Sequence, residues 1–153
     1  MDTLIVKIEN KEQKAAIVAE VLADLPEWFG LPESTQNYID ESRDLDLWCA
    51  FQGKEVLGFI SLSETSPDST EIHCMAVKKA YHRQGLGRKL YQRMADYAKN
   101  HYRYIQVKTV DEGHYPEYDR TIAFYRSLGF AKLEVFPDMW DPWNPCLIMI
   151  NNL

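Results

Sequence analysis

The feature that most constrains this chain is a strand, a glycine-rich turn and a helix that follow one another between Thr70 and Asn100. Residue types alternate from 71 to 77, which predicts a strand. One face of this strand carries Glu71, His73, Met75 and Val77. The other face carries Ile72, Cys74 and Ala76. After residues 82–87, an apolar stripe at three- and four-residue steps predicts a helix, with Leu86, Leu90, Met94 and Tyr97/Ala98 buried. A glycine-rich turn therefore lies at a helix N-terminus.

This turn has the properties of an anion-binding site. The first amides of a helix have no acceptor within the helix, and the helix dipole adds about half a positive charge there. Arg83, Arg88 and Lys89 add cationic side chains, which suits a diphosphate. The Walker pattern is absent, and Leu90 stands where a dinucleotide fingerprint needs its third glycine.

The remaining pattern resembles the acyl-CoA signature of the GNAT (Gcn5-related) N-acetyltransferases. Residues 82–87 read HRQGLG after Ala76-Val77, and His82 replaces the arginine or glutamine that is usual in that family. A second family motif, Tyr-x-x-x-Gly-Phe, is present with Tyr125 as its tyrosine. Tyr118 stands where this motif often has an asparagine. Segments 25–30 and 144–149 resemble a bacterial subgroup of the family whose acceptor is unsettled.

The resemblance implies a fold and a cofactor. We expect a single α+β domain over residues 1–153 with a mixed, mostly antiparallel sheet and helices on both faces. The strand that ends at Val77 and the strand that begins at Tyr104 would be its splayed central parallel pair. The cofactor would be acetyl-CoA. The residues expected to bind it are Met75, Ala76, Val77, His82, Arg83, Gln84, Gly85, Leu86, Gly87, Arg88 and Tyr118.

The other predicted elements alternate between strands and helices, which itself indicates a layered α+β domain. Strands are predicted at residues 4–8, 45–51, 55–63, 104–110 and 146–151, with one more directly after Phe130. Helices are predicted after Asn10, which can cap the first of them, and at residues 34–42 and 121–130. Residues 136–145 hold three prolines and two tryptophans, which predicts an irregular loop.

Acetyl transfer needs a base for the amine and an acid for the departing thiolate. Keeping a lysine-like amine neutral at pH 7 costs about 4 kcal/mol. Glu71, beside the cofactor turn, is a candidate base; it could equally be a solvated glutamate. His73 on the same face is a second candidate, or a histidine of the core. Tyr125 occupies the family position of the general acid.

An aromatic and acidic group of residues could form the acceptor site, through cation–π and charge attraction. The predicted substrate-binding residues are Glu27, Trp28, Phe29, His73 and Trp140. Trp28 and Phe29 could equally be a lid on the core. The tryptophans of segment 136–145 could equally form a homodimer contact.

Composition narrows the class of protein. A net charge of −6 argues against a nucleic-acid-binding function, although six basic residues between 78 and 93 could form such a patch. The three cysteines are predicted to be reduced core residues, with no spacing that suggests a metal site. No signal peptide or membrane span is predicted, which favours the cytoplasm.

Two functions follow from these patterns. The first is transfer of acetyl from acetyl-CoA to a primary amine, on a small molecule or a peptide, by direct attack in a ternary complex. The second is a non-catalytic acyl-CoA-binding sensor or interaction module. The sequence does not choose the acceptor among amines, amino acids, polyamines, aminoglycosides and peptides.

Overall fold

The computed structural model describes residues 2–153 of the chain. Its elements, in chain order, are β1 (Thr3–Ile8), α1 (Lys11–Ala23), α2 (Pro32–Ser42), β2 (Asp46–Gln52), β3 (Glu55–Ser66), β4 (Ser69–Val77), α3 (Leu86–Ala98), β5 (Tyr104–Val110), α4 (Pro116–Ser127), β6 (Ala131–Asp141) and β7 (Asn144–Asn152). A short 3₁₀ turn at Lys79–Tyr81 precedes α3. The predicted order of strands and helices is confirmed.

The seven strands form one hydrogen-bonded sheet in the order β1-β2-β3-β4-β5-β7-β6. The pairs β1–β2, β2–β3, β5–β7 and β6–β7 are antiparallel, whereas β4 and β5 are parallel. The parallel register joins Ser69, Thr70 and Glu71 to Tyr104, Ile105 and Gln106. The predicted mixed, mostly antiparallel sheet is confirmed.

The chain divides into two compact units. Unit 1 comprises the described residues up to Ser63 together with His73–Asn100, and unit 2 comprises Glu64–Ile72 together with His101–Leu153. Strands β3 and β4 thus contribute residues to both units. A single domain over the whole chain stays a prediction.

Unit 1 has helices on both faces of its strands. Asn10 Oδ1 accepts a hydrogen bond from the Gln13 amide at 2.8 Å, so the predicted cap of α1 is confirmed. The buried face of α1 shares a core cluster with strand residues that include Cys49. Trp48, which directly precedes Cys49 on β2, packs against Tyr97 of α3, and their ring centroids are 5.3 Å apart. Since neighbouring strand residues point to opposite faces, α1 and α3 cover opposite faces of β2.

In unit 2, two boundaries differ from those predicted. Helix α4 begins at Pro116 rather than at 121, because proline suits the first helical position and acidic residues of the first turn complement the helix dipole. Residues 136–145 are not an irregular loop: most of them lie in β6 and β7. Strand β6 tolerates Pro137 because it is the edge strand and its register shifts between Phe136 and Asp141.

Candidate active site

The turn before α3 leaves the helix N-terminus open. Gly85 is the N-cap, with φ of 76°, and makes no side-chain capping bond. A Cβ added to Gly85 would meet nothing within 4 Å. Arg83 has a positive φ of 63°, which is uncommon for a residue with a side chain. The predicted cradle of uncapped amides thus exists in unit 1, and it can be approached closely at Gly85.

The side chain of His82 ties this turn to the end of β4. Its Nε2 lies 2.6 Å from the carbonyl oxygen of Val77, so the ring carries its proton on Nε2 and donates it there. The edge of the Trp28 ring packs against it, with ring centroids 5.9 Å apart. Gln84 Nε2 donates to the carbonyl of Ala80 at 3.4 Å. Both side chains therefore brace the turn, and their predicted contact with the cofactor stays a prediction.

The cationic side chains predicted around the turn are exposed. Arg83, Arg88 and Lys89 all lie on the surface at the start of α3. Leu86, the first residue of the helix, is buried and anchors this end of α3 in the core of unit 1. The turn is therefore held by apolar packing while its charged groups face outward.

The end of β4 is enclosed on one side by β3. Ala76 is buried, whereas Met75 and Val77 are half-buried, as the alternation predicted. A Cβ on Gly58 would lie 2.7 Å from the carbonyl oxygen of Ala76, so only glycine fits there. The Lys78 amide donates to the carbonyl of Leu57 at 2.9 Å. This packing fixes the strand that enters the turn.

The predicted aromatic residues of the acceptor site pack against unit 1. Trp28 and Phe29 are partly buried against its core cluster, which agrees with the interpretation as a lid. The rings of Phe29 and Tyr38 meet edge to face at 5.9 Å, and those of Tyr38 and His73 at 5.3 Å. The carboxylate of Glu27 pairs with Lys79, and this hydrogen bond lowers its pKa. An acceptor amine at Glu27 would have to compete with Lys79.

His73 contacts an acidic residue that the sequence analysis did not single out. Its Nε2 lies 2.5 Å from Oε2 of Glu41, on α2. Its other ring nitrogen, Nδ1, is buried and, among residues 2–153, has no hydrogen-bond partner. No local signal predicts this pair, because the two residues are 32 positions apart and meet only through the tertiary fold.

The candidate base Glu71 lies in unit 2 and is not a solvated glutamate. Its side chain is 15% exposed. Its Oε1 accepts a hydrogen bond from Gln106 Nε2 at 2.7 Å and lies 3.4 Å from Lys108 Nζ. Both partners come from β5, at positions that alternation places on one face of that strand. Because both contacts go to Oε1, the second oxygen, Oε2, is the better placed to receive a proton.

The candidate acid Tyr125 is held at the C-terminal end of α4. It is buried, and its ring lies between those of Phe124 and Phe130, at centroid distances of 5.6 and 5.5 Å. Tyr118 lies seven residues earlier, on the same side of the helix. Burial, followed by the charge of Glu117, raises the pKa of the Tyr118 phenol, which therefore stays protonated at neutral pH.

The β6–β7 hairpin displays the exposed aromatic residues of unit 2. The side chains of Trp140 and Trp143 are 46% and 73% exposed. Asp141 accepts hydrogen bonds from the Trp143 amide and from Asn144 Nδ2, so its carboxylate stabilises the turn. Both the acceptor contact and the homodimer contact predicted for Trp140 stay predictions.

The remaining candidate groups do not form a second reactive centre. All three cysteines are buried and unpaired, as predicted. Burial raises the pKa of the Cys49 thiol to about 12 and also raises that of Cys74, so neither is a thiolate at neutral pH. Residues 2–153 contain no group of three or more potential ligands that could hold a metal ion. None of the helices described is long and apolar enough to cross a membrane.

Comparison with known proteins places these features in one family. The sequence model of the "Acetyltransferase (GNAT) family" matches residues 15–130. N-alpha-acetyltransferase RimI of Mycobacterium tuberculosis is 33% identical over 76 residues, which are 50% of this chain and 44% of that protein. The chain spans less than half the length of the curated relatives that it matches.

Solved structures share the fold at low sequence identity. A GNAT-family acetyltransferase structure from Desulfovibrio desulfuricans superposes with a TM-score of 0.83 at 18% identity, covering 99% of both chains. An aminoglycoside 6'-N-acetyltransferase complexed with coenzyme A superposes with a TM-score of 0.78 at 16% identity, covering 97% of this chain and 96% of that one. The predicted family fold, including its pair of central parallel strands, is therefore confirmed.

Proposed function

Because this chain belongs to the Acetyltransferase (GNAT) family, we propose that residues 1–153 act as one domain that transfers acetyl from acetyl-CoA to a primary amine. The observation that carries the proposal is the open, glycine-capped N-terminus of α3 directly after β4. The family match covers both this turn and the Tyr125 motif.

The turn suits the diphosphate of coenzyme A. Backbone amides at Leu86, Gly87 and Arg88 are first-turn donors of α3 and would bind phosphate oxygens. The exposed guanidinium groups of Arg83 and Arg88 would neutralise its charge. The open space beside Gly85 fits the close approach of such a group. We keep Met75, Ala76, Val77 and Tyr118 as further proposed contacts.

The reaction is a direct acyl transfer within a ternary complex. Acetyl-CoA, when bound, supplies a thioester whose C–S bond breaks as the amine nitrogen forms a C–N bond to the acetyl carbon. The amine gives up one proton before attack and a second as the amide forms. One of these protons goes to a base of the protein or to solvent, and the other reaches the departing thiolate.

Among the candidate bases, the geometry supports Glu71 over His73. The Nε2 of His73 is engaged by Glu41 and its Nδ1 is buried, so neither nitrogen can reach an amine. Glu71 keeps Oε2 for the proton, and Gln106 and Lys108 fix its orientation through Oε1. General-base catalysis by such a group typically contributes about 10²–10⁴-fold.

Tyr125 is the proposed proton donor to the thiolate. A phenol is protonated at neutral pH and can donate its hydroxyl proton to a sulfur that develops negative charge. Packing by Phe124 and Phe130 restricts the ring and hence the direction of the hydroxyl. The second proton lost by the amine then reprotonates the Tyr125 phenolate, directly or through solvent.

Steady-state release of coenzyme A thiol tests this function. Acetyl-CoA is supplied with a panel of amines that includes lysine, a diamine, an aminoglycoside and a peptide with a free N-terminus. Release that depends on one of these amines supports the transferase. Binding of acetyl-CoA without release from any of them would favour the sensor function instead.

A further inference from the structure

The contact between Glu41 and His73 joins the last turn of α2 to β4 within unit 1. The Oε2–Nε2 distance is 2.5 Å, and the side chains are 58% and 15% exposed, respectively. An exposed carboxylate is therefore held by a ring that is itself mostly buried. Since a carboxylate only accepts hydrogen bonds, the ring donates its Nε2 proton to Glu41.

The buried half of the His73 ring shows that this contact is the reason for a histidine here. Nδ1 has no hydrogen-bond partner among the described residues, and burying an unpaired polar atom costs free energy. An apolar side chain at this position would avoid that cost. The bond to Glu41 is the contact that requires a ring N–H, and it holds the carboxylate in one position.

An aromatic ring packs against the histidine that holds this carboxylate. Tyr38 lies one turn before Glu41 on α2, and its ring meets the His73 ring edge to face at 5.3 Å. A carboxylate with an aromatic ring next to it attracts organic ammonium groups through charge and cation–π interactions. The chain as a whole is acidic, with a net charge of −6, which adds a long-range attraction for cations.

The ammonium at Glu41 cannot be the amine that reacts. Glu71 is the proposed base, so the amine that reacts is the one that gives its proton to Glu71, whereas an ammonium held at Glu41 keeps its charge. His73 also precedes Met75, the first proposed cofactor contact on β4, by two residues, or about 7 Å along the strand. His73 follows Glu71 by two residues as well, so a group bound at Glu41 lies beside β4 at a position different from both.

We propose that Glu41 binds a second, non-reacting ammonium group of the acceptor, with His73 as its positioning residue. This inference rests on the proposed acetyl transfer and names its substrate class, compact amines that carry at least two positive charges. Tyr38 forms the aromatic wall of the subsite. The acceptor would span from Glu41 to the reacting centre, where its free amine lies.

A matched pair of amines tests the proposal. 1,4-Diaminobutane and butylamine share the reacting primary amine and differ in the second ammonium group. We expect kcat/KM to be about tenfold higher for the diamine, chiefly through KM. Glu41→Gln should abolish this preference by lowering kcat/KM for the diamine to about the butylamine value. Glu33→Gln removes the same charge from the exposed first turn of α2 and should keep the preference.

Two variants separate positioning by His73 from a merely structural role. His73→Gln can still donate a hydrogen bond toward Glu41, so it should retain part of the preference for the diamine. His73→Leu cannot, and it should raise KM for the diamine to the Glu41→Gln value with little change in kcat. Circular dichroism and thermal unfolding establish that both variants are folded.

The outcomes distinguish this inference from the proposed function. Equal kcat/KM for the two amines, or a preference that survives Glu41→Gln, contradicts the subsite. If other amines of the panel are acetylated but neither 1,4-diaminobutane nor butylamine is, the subsite is also contradicted. The transferase function would then still stand. If no amine is acetylated, both proposals fail.

Discussion

The backbone amide of Phe130 donates to the carbonyl oxygen of Tyr125 at 3.1 Å, and the two rings pack in a tilted arrangement with their centroids 5.5 Å apart. Gly129, between them, has φ of 106° and donates to the carbonyl of Arg126 at 3.0 Å. These two bonds and the apolar contact form a Schellman cap at the end of α4. The Tyr-x-x-x-Gly-Phe motif thus both ends the helix and orients its proposed acid.

Replacing Gly129 should destabilise this cap. Gly129→Ala places a side chain in a backbone conformation that costs about 1–2 kcal/mol, and its Cβ would press on the Asn151 side chain at 3.3 Å. We expect the free energy of unfolding in urea to fall by at least that amount. An unchanged unfolding midpoint would show that the cap does not stabilise α4.

Removing the Tyr125 hydroxyl should impair turnover and spare binding. Tyr125→Phe keeps the ring that packs on Phe130, so stability and the Kd of acetyl-CoA should stay near those of the wild type. We expect kcat to fall about 10²-fold or more, because a general acid is lost. Tyr102→Phe, which removes an exposed hydroxyl bonded to Glu64, is the control. Wild-type kcat in Tyr125→Phe would exclude Tyr125 as the acid.

Gly85, in the cofactor turn, has a matched control in Gly113, between β5 and α4. Gly85 and Gly113 both have positive φ, at 76° and 89°, and a Cβ at either would meet nothing within 4 Å. Alanine should strain both backbones alike, yet only Gly85→Ala should weaken coenzyme A binding, by about tenfold, or 1.4 kcal/mol. Titration calorimetry measures both Kd values. Equal affinities in the two variants would argue against phosphate binding at this turn.

The ion pair of Glu27 and Lys79 should make stability depend on pH in the acid range. Its hydrogen bond to Lys79 lowers the pKa of Glu27 in the folded chain. A lowered carboxyl pKa stabilises the fold above the ordinary value of 4.5, and this contribution is lost as the pH falls through the folded pKa. Wild type should therefore exceed Glu27→Gln in stability at pH 7, and the difference should be smaller at pH 3.

Urea unfolding at both pH values measures this difference, and raised salt should shrink it because the pair is exposed. Glu33→Gln, on α2, controls for the loss of one surface charge. If the difference in the free energy of unfolding between wild type and Glu27→Gln is as large at pH 3 as at pH 7, the ion pair does not account for that difference.

Much of the fold could be predicted because local patterns determined it. Asn10 caps α1, and residues 71–77 alternate between buried and half-buried positions as predicted. The segment 136–145 was mispredicted because proline normally excludes a strand. Proline lacks a backbone N–H, but an edge strand with a shifted register can do without that hydrogen bond. The sequence alone does not show which strand is at the edge.

The candidate site was predictable only where a motif is continuous in sequence. The turn at Gly85 and the Tyr125 cap are such motifs. The partners of His73 and Glu71 are not: Glu41 and Gln106 reach them only through tertiary packing, over separations of 32 and 35 residues. Those contacts support Glu71 over His73 as the proposed base, and the sequence alone could not supply them.

The most direct test of acetyl transfer follows the acetyl group itself. Acetyl-CoA labelled in its acetyl carbon is incubated with the chain and the amine panel, and mass spectrometry measures label in the acceptor amide beside the thiol released. We predict one labelled amide for each thiol, with both rates falling together in Tyr125→Phe. Thiol release without a labelled amide, or no release with any amine, would contradict the proposed function.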